Sequence, residues 1–249
     1  MKIISVVPSL TELLFDLDLE DQIVGVTRFC IHPADKTKRI TNVGGTKSLK
    51  IDRIIALKPD LIIANKEENA QADIEELQKH CHVWVTDLFT LSDALDMISE
   101  LGQRTNRIET AQTLISQIQS EFKKLSTFVN SSGQKVAYLI WENPIMLAGR
   151  NTFINYMIRE LGWENIITDK ESRYPIIEPQ ELSELQPDYI LLSSEPYPFK
   201  EKHLPKYESQ FPNSKIILVD GEMFSWYGSR MKLAPAYFID LLTEASSVS

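Results

Sequence analysis

Short uninterrupted apolar runs, rather than alternating ones, recur along the chain: "IISVV" (3–7), "DLIIA" (60–64), "KVAYLIW" (135–141), "DYILLS" (188–193) and "KIILVD" (215–220). Runs of this length without a polar face fit parallel strands buried on both sides. Two of them share one introduction. "ALKPDLIIA" (56–64) and "ELQPDYILL" (184–192) each place a proline directly before the run. Proline cannot continue a helix and restricts the residue before it, so each phrase predicts a helix, a stop and a buried strand. The same unit in both halves of the chain predicts two α/β lobes.

The flanking patterns agree. "QIVGVT" (22–27) and "HVWVT" (82–86) predict further strands, and 69–80, 151–161, 179–185 and 229–243 predict helices. Ser9-x-x-Glu12 has the spacing of a capping box for a first helix. Strands alternating with helices imply right-handed βαβ units and mainly parallel sheets. Between the halves, Ile108, Ala111, Leu114, Ile115, Ile118, Phe122 and Leu125 recur at helical spacing with no Pro or Gly between them. Residues 105–129 therefore predict one long rigid backbone helix, a rod of about 37 Å. The expected organisation is an N-terminal α/β lobe over 1–104, the connecting helix over 105–129 and a C-terminal α/β lobe over 130–249. Each lobe is Rossmann-like, and open sheets of this kind bind ligands beyond the carboxyl ends of their strands.

Composition narrows the function. With 26 basic against 35 acidic residues the net charge is -9, which argues against a broad nucleic-acid footprint. "VGGTKS" lacks the G-x-x-x-x-G-K-[ST] spacing, since Thr46 stands before Lys47, and neither a G-x-S-x-G elbow nor an H-E-x-x-H pair occurs. An enzyme is therefore not expected. Cys30 and Cys81 make no disulfide framework, and His80, Cys81 and His82 sit at a helix-to-strand junction where alternation splits them between two faces. No resident metal or cofactor is expected. No run of about 18 apolar residues spans a membrane. The N-terminus lacks a secretory apolar region, so the chain is expected to be cytosolic or trimmed of an export signal.

The segments that follow predicted strands supply the candidate site: Arg28, Phe29, His32 and Thr46 in the first half, and Trp141, Arg150, Arg173, Tyr174, Tyr197, Phe224, Trp226, Tyr227 and Arg230 in the second. Several join an aromatic ring to a guanidinium. Aromatic faces suit a large planar ligand, and arginine forks suit carboxylates or phenolate oxygens.

The order of "VPSLTELL", "IVGVT", "NVGGTKSLKID", "LKPDLIIA", the mid-chain helix, "AGRNTFINYMIRELGWENI" and "DGEMFSWYGSR" resembles the helical-backbone periplasmic substrate-binding proteins of ABC importers. That family carries ferric siderophores, haem and cobalamin. The resemblance implies a ligand cleft between the lobes, a small-molecule metal chelate as ligand, an importer permease as partner, a monomer, and an extracytoplasmic location. It also implies docking on the permease through one glutamate per lobe, for which Glu67, Glu68 and Glu222 are the candidates. Cobalamin binders of the family often carry tryptophans where this chain has Asn65 and Met223. The alternative readings are a cytosolic chelate carrier or sensor without an importer and, behind it, a two-lobed enzyme.

Overall fold

A computed structural model describes residues 1–130, 133–167 and 171–246. The chain divides into two compact units, one of residues 1–118 with Tyr227–Arg230 and one of 119–226 with 231–249.

The first unit begins with β1 (Ile3–Ser5), α1 (Pro8–Asp16), β2 (Ile23–Val26), α2 (Ala34–Thr37) and β3 (Thr41–Asn42). A small hairpin of β4 (Gly44–Gly45) and β5 (Ser48–Leu49) follows, then α3 (Ile51–Leu57), β6 (Leu61–Asn65), α4 (Gln71–Gln78), β7 (Val83–Thr86) and α5 (Leu91–Arg104). The main sheet has the order β3-β2-β1-β6-β7, and every pair in it is parallel. β1 and β6 are wholly buried, which is why their sequences run apolar without alternation.

α6 (Ile108–Phe128) runs from the first unit into the second, the division falling after Ile118. It starts three residues later than the expected rod. Thr105 caps α5 instead, Asn106 takes a positive φ of 56°, and Arg107 N–H bonds back to Gly102 O at 2.7 Å. The buried stripe holds from Ala111 to Leu125, but Ile108, at the first turn, is 60 % exposed. A Cβ on Gly102 would lie 2.5 Å from that of Ala111, so α5 and α6 approach as closely as they do only because Gly102 has no side chain.

The second unit holds β8 (Lys135–Trp141), β9 (Met146–Leu147), α7 (Phe153–Glu160), β10 (Glu164–Asn165), α8 (Pro179–Glu184), β11 (Tyr189–Ser193), α9 (Leu204–Gln210), β12 (Lys215–Val219), α10 (Gly221–Ser225) and α11 (Ala234–Ser246). The strand order is β10-β8-β11-β12, all parallel, with β9 antiparallel on β8. The expected helix over 229–243 is instead a 3-10 turn at Ser229–Lys232 followed by α11.

The repeated phrase has a shared mechanical role. Lys58 and Gln186, each directly before its proline, both take a φ of 49°. The aspartate after each proline then pairs with the residue just before, or at, the start of the unit's leading strand. Asp60 accepts from Lys2 N–H at 2.6 Å and returns its own N–H to Lys2 O at 2.8 Å; Asp188 does the same with Lys135, at 2.7 and 2.8 Å. Pro-Asp thus sets the register of β6 on β1 and of β11 on β8.

The capping box does not form. α1 opens with Pro8 at its first position, and its N-cap, Val7, has no side-chain acceptor for a capping hydrogen bond. Glu12 is drawn away by Arg230, 218 residues further on, whose Nε and Nη2 donate to its two oxygens at 2.9 and 2.6 Å. A local box lost to a two-toothed charged hydrogen bond, the stronger interaction.

Candidate ligand-binding site

In the first unit the loops beyond β2 and β6 meet at the hairpin. Gly44 has a φ of 117°, and a Cβ there would lie 2.5 Å from Ser48 O, so the turn requires glycine. Arg28 N–H bonds Gly44 O at 2.9 Å, and its guanidinium lies so close to Gly45 that a Cβ would stand 3.1 Å from Nη2. The same guanidinium sits 4.9 Å from the centre of the Phe29 ring, which is 46 % exposed. Lys47 Nζ donates to Glu67 O. Arg28, Phe29, Thr46 and Glu67 are therefore brought into one cluster. His32 is half-buried on the loop after Phe29, and Glu68 is exposed.

Two buried asparagines hold that cluster in place. Asn69 accepts from Asn65 N–H at 2.8 Å and donates to Val6 O and Thr46 O, both at 3.1 Å. Asn65 donates to Thr86 O and Oγ1 at 3.0 and 3.1 Å, and its Oδ1 receives Glu67 and Glu68 N–H at 2.8 and 3.2 Å. One amide pair thus ties the ends of β1, β6 and β7 to the hairpin. Sequence reasoning marked Asn65 only as a position where cobalamin binders often carry a tryptophan, and gave neither residue this structural role. Replacing Asn69 with alanine would leave the buried Asn65 N–H and Val6 O and the part-buried Thr46 O without this partner, and Asn69→Ala is expected to cost about 2 kcal/mol in urea unfolding.

Behind this rim, Cys30 is a buried free thiol that accepts from Thr11 Oγ1 at 3.0 Å. Burial pushes it above the usual thiol range, so it is not a reactive thiolate. Among the described residues no group of three or more His, Cys, Asp or Glu side chains could hold a metal ion.

In the second unit, Trp141 ends β8 with its ring 41 % exposed and meets Tyr197 edge-on, ring centres 5.6 Å apart. Tyr197 OH donates to Glu142, which also receives Lys206 Nζ at 2.9 Å. Lys206 and Tyr197 together hold the Glu142 carboxyl below the usual carboxylate range. Gly149 N–H bonds Arg173 O at 2.8 Å, which lays the Arg150 segment beside Arg173 and Tyr174; Arg150 itself is exposed.

The remaining candidates are placed differently. Phe224 is fully buried, with Phe238 at 4.8 Å and Tyr138 at 5.0 Å between ring centres, so it is a core ring and not part of the rim. Trp226 is 7 % exposed, and its indole N–H donates to Glu195 Oε1 at 2.8 Å; Ser225 Oγ donates to the same oxygen at 2.6 Å. Tyr227 is 6 % exposed. It begins the four-residue segment that belongs to the first unit, and Arg230, spent on Glu12, ends it. Glu222 is half-buried in the first turn of α10. A depression of about 570 Å³ lies among Lys135, Pro187, Asp188 and Ser214, at the amino ends of β8 and β11, away from these rims.

Residues 3–209 match the model of a family described as periplasmic binding protein. The chain belongs to that family. The vitamin B12-binding protein of Pectobacterium carotovorum subsp. carotovorum (strain PC1) is 24 % identical to this family member over 249 residues, covering 98 % of this chain and 89 % of the relative. The periplasmic vitamin B12-binding protein of Vibrio cholerae shares the fold with a TM-score of 0.85 at 21 % identity, covering 99 % of this chain and 98 % of the other. The periplasmic haem-binding protein of Roseiflexus sp. RS-1 does so at 0.84 and 20 %, covering 98 % of both chains. All three are binding proteins. Among the described residues no helix is long and apolar enough to cross a membrane.

Proposed function

We propose that this protein is the substrate-binding component of an ABC-type importer, acting outside the cytoplasmic membrane, and that it captures a metal chelate of the corrinoid or ferric siderophore kind. One observation carries the reading: each unit presents an exposed aromatic residue at or just beyond the carboxyl end of a strand. Phe29 is 46 % exposed beneath Arg28, and Trp141 is 41 % exposed against Tyr197. Aromatic faces suit a large planar ligand, and carboxyl ends are where open sheets bind ligands. Arg28, and the paired segments carrying Arg150 and Arg173, supply cations for carboxylate or phenolate oxygens. His32, Thr46 and Tyr174 complete the proposed contacts. Glu67, Glu68 and Glu222 are the proposed docking carboxylates for the permease. The names of the B12-binding relatives favour the corrinoid arm.

Titrating the protein with cyanocobalamin, a ferric trihydroxamate and hemin, followed by tryptophan emission, tests the reading. At least one is expected to quench with a Kd of about 1 μM or tighter, some 8 kcal/mol of binding. Failure of all three at that concentration would overturn it.

A further inference from the structure

Resting on that function, the geometry points to Glu142 as a positioning residue. We infer that it holds Trp141 and Tyr197 as a platform for the flat organic face of the ligand, and that Tyr197 serves through its ring, not as an oxygen donor to the ligand's metal. The ligand class this selects is a chelate whose metal is already saturated by its own donors.

Six contacts support the assignment. Trp141 Nε1 donates to Asn143 O at 3.2 Å, so the indole N–H is occupied by the protein and its exposed ring is what remains to be offered. Tyr197 is anchored at both ends: its N–H bonds Ile140 O at 3.2 Å, and its hydroxyl donates to Glu142. Its ring also packs against Phe199 and His203, ring centres 4.7 and 5.7 Å away. The Glu142 side chain is only 11 % exposed, and its second oxygen is taken by Lys206 from α9, so the acceptor is fixed by two separate elements.

The chemistry follows from the direction of the bond. A phenol that donates to a carboxylate keeps its proton, and this contact raises the Tyr197 hydroxyl above its ordinary range. A metal ligand would have to give that proton up and abandon Glu142, which would then face Lys206 alone. The ring, in contrast, is available without breaking anything. An aromatic pair held edge-to-face contributes more than its area alone when it stays in register.

The test uses the full chain and whichever of cyanocobalamin, ferric trihydroxamate or hemin the wild type binds. Trp141→Ala is expected to weaken binding about tenfold, and Glu142→Ala and Tyr197→Phe about three- to tenfold each. The double variant should be no weaker than the poorer single one, since both break the same bond. Glu142→Gln, which keeps an oxygen for the phenol, should recover most of the loss. Melting curves of the variants are expected to stay cooperative, and a ferric probe should show no phenolate-to-iron charge-transfer band, with an absorption spectrum unchanged in Tyr197→Phe. Additive losses, a Tyr197-dependent charge-transfer band, or variants that bind as well as wild type would overturn the inference while leaving the proposed function standing. A wild type that binds none of the three probes would remove the function itself, and the inference with it.

Discussion

Phe224→Ala is expected to destabilise the second unit by about 3–5 kcal/mol, the usual loss for a large aromatic removed from a core. The ring is fully buried within 5.0 Å, centre to centre, of Tyr138 and Phe238, which come from β8 and α11. Its removal would open a cavity between three elements. α10 is only five residues long and cannot shift to fill that space without giving up the bonds that hold its ends, such as Asp220 Oδ1 to Glu222 N–H at 3.0 Å. Urea unfolding followed by far-UV circular dichroism would show the loss as a lower midpoint. Chelate affinity, measured well below that midpoint, should change little. The opposite pattern, an unmoved midpoint with lost affinity, would return Phe224 to the rim.

Arg230→Ala is expected to cost about 3 kcal/mol, because breaking a largely buried ion pair leaves one charge uncompensated. The two side chains are 10 % and 18 % exposed, and the fork meets both carboxylate oxygens. The variant would strand Glu12 on α1. It would also loosen the turn at Gly228, whose φ of 115° places it against Ser9 O and Leu13. Glu12→Gln combined with Arg230→Met should regain much of the loss, since neither member of the pair is then left charged without its partner. Thermal melts of the wild type, Glu12→Gln, Arg230→Met and the double variant form a double-mutant cycle. Additive effects would mean that the pair contributes nothing as a pair.

The fold was legible where burial is two-sided. β1, β6, β8, β11 and β12 lie within two residues of their apolar runs, and the proline stops fall where expected, because a strand covered on both faces cannot afford polar positions. The helical stripe of α6 was equally plain from Ala111 onward. α5 was missed although Thr90 and Asp93 form a genuine capping box, the same signal that misled at Ser9 and Glu12. Two things separate the cases: Thr90 stands at the N-cap of α5 whereas Pro8 starts α1 ahead of Ser9 and leaves Val7 at the cap, and Glu12 is taken by Arg230. The sequence names candidate rim residues by type and position but does not separate rim from core. Nothing local distinguishes Phe224, packed in a core, from Phe29, left in water. Likewise Asn65 and Asn69 read as ordinary loop polar residues until their four tethered strands and turns are seen.

The bookkeeping of the chain between its two units has a practical outcome. Since Tyr227–Arg230 is numbered with the late half but completes the early one, no single scission yields both pieces whole. A fragment ending at Ile118 would carry Glu12 without its guanidinium and leave the α1 surface at Ser9 and Leu13 bare. The two modules are interleaved in sequence, so they are dissected by grafting the four-residue segment, not by truncation.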